Sequence, residues 1–163
     1  MALITLNKLA LPTGSVLQVE SLFTGNQQTT TSTSFVDITG MSQTITPSST
    51  SNKVLVTCSF FAAAIPNAKP YYRLLRSSTI LGQITVDGVD CTFSSVNPQS
   101  PDTDRAGDNV VLTFLDSPSS TSEQTYKLQF RTGDASRTAY FGRRDIGTDT
   151  NVGSGITLQE IQG

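Results

Sequence analysis

The chain has 163 residues, 36% of them hydrophobic and 15% charged, with a formal charge of −2, which fits one folded domain with a thin core. Its 11 Lys and Arg residues are scattered and form no basic stripe, so nucleic acid is not an expected partner. There is no histidine, which removes Ser-His-Asp and Cys-His nucleophiles, His-ligated zinc and the usual proton shuttle.

In chain order, Met1 to Thr13 reads as an apolar arm carrying Leu3, Ile4, Leu6, Leu9 and Leu11, closed by Pro12-Thr13-Gly14. That spacing fits neither the helical nor the strand period, so a first strand and a particle-docking arm both stay open. The segment lacks the basic region and cleavage site of a secretory leader, and synthesis in the cytoplasm without export is expected. No apolar run approaches the roughly 20 residues a spanning helix needs, so membrane insertion is not expected.

From Val16 onward, short β-branched and aromatic runs alternate with hydroxyl-rich turns, the pattern of an all-β chain. Strands are predicted at Val16–Leu22, Phe35–Thr39, Met41–Thr46, Val54–Ala62 and Tyr71–Arg76. Further strands are predicted at Thr79–Val86, Asn109–Leu115, Thr125–Arg131, Thr138–Phe141 and Gly155–Ile161. The Ser/Thr run from Thr29 to Ser34 reads as a turn. Tyr126, Leu128 and Phe130 alternate with polar neighbours, as in a half-buried strand. Val54, Val56, Cys58 and Phe60 face one way and Leu55 and Phe61 the other, so this strand is expected to be covered on both sides, by the opposite sheet and by a neighbouring subunit. Hairpins are predicted at Arg76-Ser77-Ser78-Thr79 and at Val86-Asp87-Gly88-Val89. Phe93 to Asp108 and Asp145 to Gly155 read as long surface loops. About ten strands at this spacing predict a single jelly-roll-like β-sandwich over residues 14–163, preceded by the arm of residues 1–13. Cys58 and Cys91 read as reduced core thiols.

Few residues offer chemistry. Asp102-Thr103-Asp104-Arg105-Ala106-Gly107 begins like a calcium loop, but position twelve is Thr113 rather than the bidentate Glu, so no metal is expected. Asp145, Asp149 and Asn151 form a second oxygen cluster that suits a turn. Arg143-Arg144 beside Asp145 could pair with an acidic partner. Tyr71, Tyr72 and Tyr140 suit core or interface positions better than stacking on sugars. A glycan-hydrolase reading would need paired carboxylates, for which Asp102 with Asp108 and Asp87 with Asp90 are the compact candidates, both in turn-like segments. No catalytic residue and no cofactor is expected.

Four stretches, 31–56, 72–82, 114–132 and 155–162, together resemble a β-rich virion structural domain of tailed bacteriophages, of the tail-fibre or capsid-surface type. The Arg73-Leu74-Leu75-Arg76 hairpin, the Leu115-Asp116-Ser117-Pro118 turn and Thr125-Tyr126-Lys127-Leu128-Gln129 carry most of the match. The resemblance implies a non-enzymatic, trimer-forming, jelly-roll-like module on the virion surface. Fibre proteins place such a module after a long shaft, whereas only a short arm precedes Gly14 here. The expectation is therefore a homotrimeric capsid decoration (cement) protein docked on the major capsid protein through the arm. The alternative is a short tail fibre or tail-tip protein that contacts other tail proteins and binds host-surface glycan through exposed loops bearing Asp102, Asp104, Arg105, Asp145, Asp149 and Asn151.

Overall fold

The computed structural model describes residues 11–65, 68–94, 107–143 and 152–163. Every regular element among them is a β-strand, and every pairing is antiparallel. In order they are β1 (Val16–Thr24), β2 (Gln28–Thr30), β3 (Val36–Ile45), β4 (Lys53–Ala64), β5 (Tyr71–Arg76), β6 (Thr79–Leu81) and β7 (Ile84–Val86). They continue with β8 (Val89–Cys91), β9 (Phe93–Ser94), β10 (Gly107–Asp116), β11 (Gln124–Arg131), β12 (Ala139–Phe141) and β13 (Ser154–Ile161).

Two sheets form the sandwich. In the first, the strands run β1-β13-β4-β10, and β12 with β2 extends β13's side of β4 at its C-terminal end. In the second, the order is β3-β11-β5-β6, with β9 also pairing on β5. The long strands alternate between sheets along the chain, so β1, β4, β10 and β13 lie in one layer and β3, β5 and β11 in the other. This is an all-β antiparallel sandwich.

The core lies between the layers, where β4, β11 and β13 bury alternate residues. In β11 these are Tyr126, Leu128 and Phe130, in β4 Val54, Val56, Cys58 and Phe60, and in β13 Ile156 and Leu158. Each fully buried Leu, Ile or Phe contributes about 1.5–3 kcal/mol of transfer free energy. An aromatic chain threads this layer: Phe141 packs on Phe60 at 5.8 Å, Phe60 on Tyr72 at 5.1 Å, and Tyr72 on Phe130 at 6.2 Å between ring centroids. Cys58 and Cys91 are both buried free thiols, and burial pushes the Cys58 thiol up to about 12.

Several boundaries differ from the expectation. Phe35–Thr39 and Met41–Thr46 are one strand, β3, because Gly40 adopts φ +81° and bends the strand without ending it. Beside it the β3–β11 register shifts between Lys127 and Gln129. Thr79–Val86 is two strands, divided at Gly82 with φ +59°. The run expected as a turn at Thr29–Ser34 contributes Thr29 and Thr30 to β2, which pairs with β12. The loop expected from Phe93 to Asp108 is shorter at both ends, because Phe93–Ser94 pairs with Tyr71–Tyr72 and Gly107–Asp108 opens β10. The Asp87-Gly88 hairpin forms as expected, with φ values of +50° and +74° at the two turn residues, and joins β7 to β8 as a separate ribbon.

The Tyr72 hydroxyl is fully buried and has no hydrogen-bond partner among the described residues. An unpaired buried hydroxyl costs about 1–3 kcal/mol. Tyr72→Phe is expected to stabilise the fold by about 1 kcal/mol, raising the melting midpoint by roughly 2–4 °C. Thermal unfolding followed by circular dichroism checks this; a drop of several degrees would contradict it.

Candidate functional site

The residues singled out from the sequence fall in two groups. Leu3, Ile4, Leu6 and Leu9, with Asp102, Asp104, Arg105, Asp145, Asp149 and Asn151, lie outside the described residues, as does Arg144. Leu11 is half-buried at the bend before β1, where the Gly14 amide donates to the Gln162 carbonyl at 2.8 Å. Tyr71, Tyr72 and Tyr140 are buried, so none offers a ring face to a sugar. Asp87 and Asp90 sit on one ribbon but are separately engaged. Asp87 accepts from Lys69 Nζ at 2.8 Å and from the Tyr71 hydroxyl at 3.3 Å, while Asp90 accepts from Thr85 Oγ1 at 2.8 Å. Among the described residues no three His, Cys, Asp or Glu side chains gather as a metal site, and no helix is long and apolar enough to cross a membrane.

Two buried carboxylates were not anticipated. Asp116 ends β10 in phase with the inward-facing Val110, Leu112 and Phe114, and Glu160 lies in β13 in phase with Ile156 and Leu158. Both pair with Val54 across β4, so one cross-strand row runs Gln18, Glu160, Val54, Asp116. The row closes one end of the core with polar groups.

Asp116 Oδ2 accepts from Arg76 Nη1 at 2.5 Å and from the Tyr126 hydroxyl at 2.8 Å. Arg76 ends β5 and Tyr126 lies in β11, both in the opposite sheet, so this carboxylate bridges the two layers. Burial, then the hydrogen bond to Asp116, raises the Tyr126 hydroxyl well above its ordinary value. The Arg-Leu-Leu-Arg, Leu-Asp-Ser-Pro and Thr-Tyr-Lys-Leu-Gln segments thus meet in one structural contact.

Glu160 is fully buried and accepts four hydrogen bonds: from the Ser48 amide and Asn52 Nδ2, each at 2.6 Å, and from Ser48 Oγ and Gln18 Nε2, each at 2.7 Å. Burial alone would raise its pKa, but these donors outweigh it and hold the carboxyl below the ordinary glutamate value. The four bonds tie β13 to β1 and to the β3–β4 turn. With Oε1 accepting three of these bonds and Oε2 the fourth, the carboxylate has the geometry of a clamp between strands.

The two outer faces of the sandwich differ. On the β3-β11-β5 layer a row of Asp37, Gln129 and Arg73 carries charge that is internally paired. Lys127 Nζ reaches the Asp37 carboxylate at 2.9 Å and Gln129 Nε2 donates to it at 2.7 Å, while Arg73 stacks on Phe35 at 3.8 Å from the ring centroid. The hydrogen bonds from Lys127 and Gln129 lower the Asp37 pKa.

The outer face of the β1-β13-β4-β10 layer carries three successive rows without charge. They are Val19-Gln159-Leu55-Leu115, then Ser21-Thr157-Thr57-Thr113, then Phe23-Gly155-Ser59-Val111. Phe23 is 77% exposed and Val111 66% exposed, with Val19 and Leu115 near half. Beyond the third row the same face is covered by the chain itself, where Phe61, Ala63 and Tyr140 pack with Ile65 and Val152. Among the described residues, the expectation that β4 is covered on both sides holds at Phe61 and Ala63. No family model matches this chain, and no curated protein matches it.

Because the folded state holds Glu160 at a lowered pKa, its stabilisation is present above the ordinary glutamate value and is lost as pH falls through the folded value. Glu160→Gln is expected to lose about 2–4 kcal/mol at pH 7, since an amide nitrogen then faces protein donors. The gap to the wild type should narrow as pH drops below about 4, the ordinary glutamate range. Urea unfolding at pH 7 and pH 3.5 measures this; a gap independent of pH would contradict it.

Proposed function

We propose that the protein is a non-enzymatic structural component of a bacteriophage virion, a homotrimeric jelly-roll module that decorates the capsid surface. The observation that carries this reading is the convergence of the three phage-like segments on the Arg76–Asp116–Tyr126 bridge. The resemblance thereby rests on residues that hold one fold together. The strand orders β1-β13-β4-β10 and β3-β11-β5-β6, with long strands alternating between layers, support the jelly-roll reading. Jelly rolls serve many functions, so the topology alone assigns none.

The chemistry of the described residues supports a structural role. The buried carboxylates are taken up by clamps, and Asp87 and Asp90 are separately bonded. A decoration protein works by presenting rigid surfaces to its own copies and to the shell beneath. One face with internally paired charge and one with three successive uncharged rows fit that task.

Copy number tests the proposal. A quantitative stained gel of purified phage particles that encode this chain, with immunogold labelling, is expected to show hundreds of copies on the head. A few dozen copies on the tail would replace capsid decoration by the tail-fibre reading, and absence from the particle would overturn both.

A further inference from the structure

We infer that Arg73 and Arg131, on the outer face of the β3-β11-β5 layer, form a binding site for an oxyanionic group, a carboxylate or a phosphate. The site goes beyond the virion reading and does not depend on it, since it rests on the donors of two side chains.

Strand register brings the pair together. Arg73 of β5 lies opposite Gln129 of β11, and Arg131 is two residues further along β11, so the two arginines are diagonal neighbours. Both guanidinium groups lie over the ring of Phe35, the residue before β3, with Arg73 Cζ 3.8 Å and Arg131 Cζ 5.8 Å from its centroid. Tyr71 gives Arg131 a second ring at 5.5 Å. Each guanidinium is also fixed through its inner nitrogen. Arg73 Nε donates to the Asp90 carbonyl at 2.7 Å, and Arg131 Nε to the Thr132 carbonyl at 3.0 Å.

These contacts leave the outer donors unspent. Stacking engages the flat face of a guanidinium, whereas its N–H groups point outward in the plane. Among the described residues, neither arginine makes a salt bridge, and each donates a hydrogen bond through Nε alone. The carboxylates of this region are engaged elsewhere. Asp37 accepts from Lys127 and Gln129, and Asp87 from Lys69 and the Tyr71 hydroxyl. Arg73's partner in its row is therefore a ring, and its positive charge meets no carboxylate.

That arrangement carries a cost. Like charges side by side on a sheet face are destabilising, and both arginines are half-buried, where water screens them less. An oxyanion bound at the pair offsets this repulsion and accepts from the unspent N–H groups. A guanidinium fork matches carboxylate and phosphate geometry in bidentate fashion, and with Nε occupied the Nη1–Nη2 edge is the one that remains. Donors already held by rings and carbonyls lose little rotamer freedom on binding. Free phosphate and the acidic group of a sugar share this chemistry, and titration separates them.

The intact protein at low ionic strength is titrated with sodium phosphate and, separately, with sodium glucuronate, while NMR follows the arginine Nε–H signals. Saturable shifts are expected at Arg73 and Arg131, and none with sodium chloride at matched ionic strength. Arg73→Gln and Arg131→Gln should each weaken binding about tenfold or more, the loss of one charge-assisted hydrogen bond. Arg131→Lys keeps the charge but not the fork and should also weaken it. Lys53→Gln removes an exposed positive charge on β4, in the other layer, and should leave the affinity unchanged. Tighter binding of phosphate supports the site with free phosphate as its ligand, and tighter binding of glucuronate supports it with an acidic sugar. Absence of a saturable shift at these two Nε–H groups with either anion would overturn the site. So would an equal response to chloride, an equal loss in Lys53→Gln, or full affinity in Arg131→Lys. The wild-type shifts locate the bound anion by themselves, so the assignment is decided even where a variant fails to fold.

Discussion

The structure depends most on a carboxylate, Asp116, that closes one layer of the sandwich onto the other. It sits at the end of β10 in the first layer and accepts hydrogen bonds from Arg76 of β5 and Tyr126 of β11 in the second. Hydrophobic burial is non-directional and does not set how two sheets align. A short charge-assisted bond does, because its energy falls steeply with angle and distance. Removing one partner of such a pair leaves a buried group unsatisfied, at a cost of about 1–3 kcal/mol. Two strands away in the same row, Glu160 ties β13 to β1 and to the β3–β4 turn.

The two outer faces of this sandwich differ in what they carry. The outward charge of the β3-β11-β5 layer is engaged in Asp37–Lys127 and Arg73–Phe35 contacts, while three rows of the other outer face carry hydroxyls, Gln159 and apolar side chains. Backbone pairing from β1 through β13 and β4 to β10 keeps that face continuous.

Much of the fold was legible in the sequence. Period-two alternation in Tyr126-Lys127-Leu128-Gln129-Phe130 and in Val54–Phe60 placed two central strands and their inward faces, and Asp87-Gly88 marked its hairpin. What escaped was governed by tertiary contact. Gln28–Thr30 is a strand only because β12 lies beside it, and hydroxyl residues carry little strand signal of their own. Gly40 looked like a break because a positive φ can end a strand or bend it, and local sequence does not distinguish the two. The two clamps did leave a signal: an acidic residue in phase with a buried apolar face, as with Glu160 beside Ile156 and Leu158, requires donors converging from elsewhere. The uncharged outer face was hidden for a different reason. It exists only in the register of four strands, and no single segment carries it.

The most direct measurement of the central claim is a double-mutant cycle between Asp116→Asn and Tyr126→Phe, read by urea unfolding. If the carboxylate fastens the two layers, each single substitution lowers stability by about 2–3 kcal/mol, and the double variant loses clearly less than their sum, with a coupling of about 1 kcal/mol or more. Single effects below about 0.5 kcal/mol, the range of ordinary surface substitutions, together with simple additivity, would contradict the account.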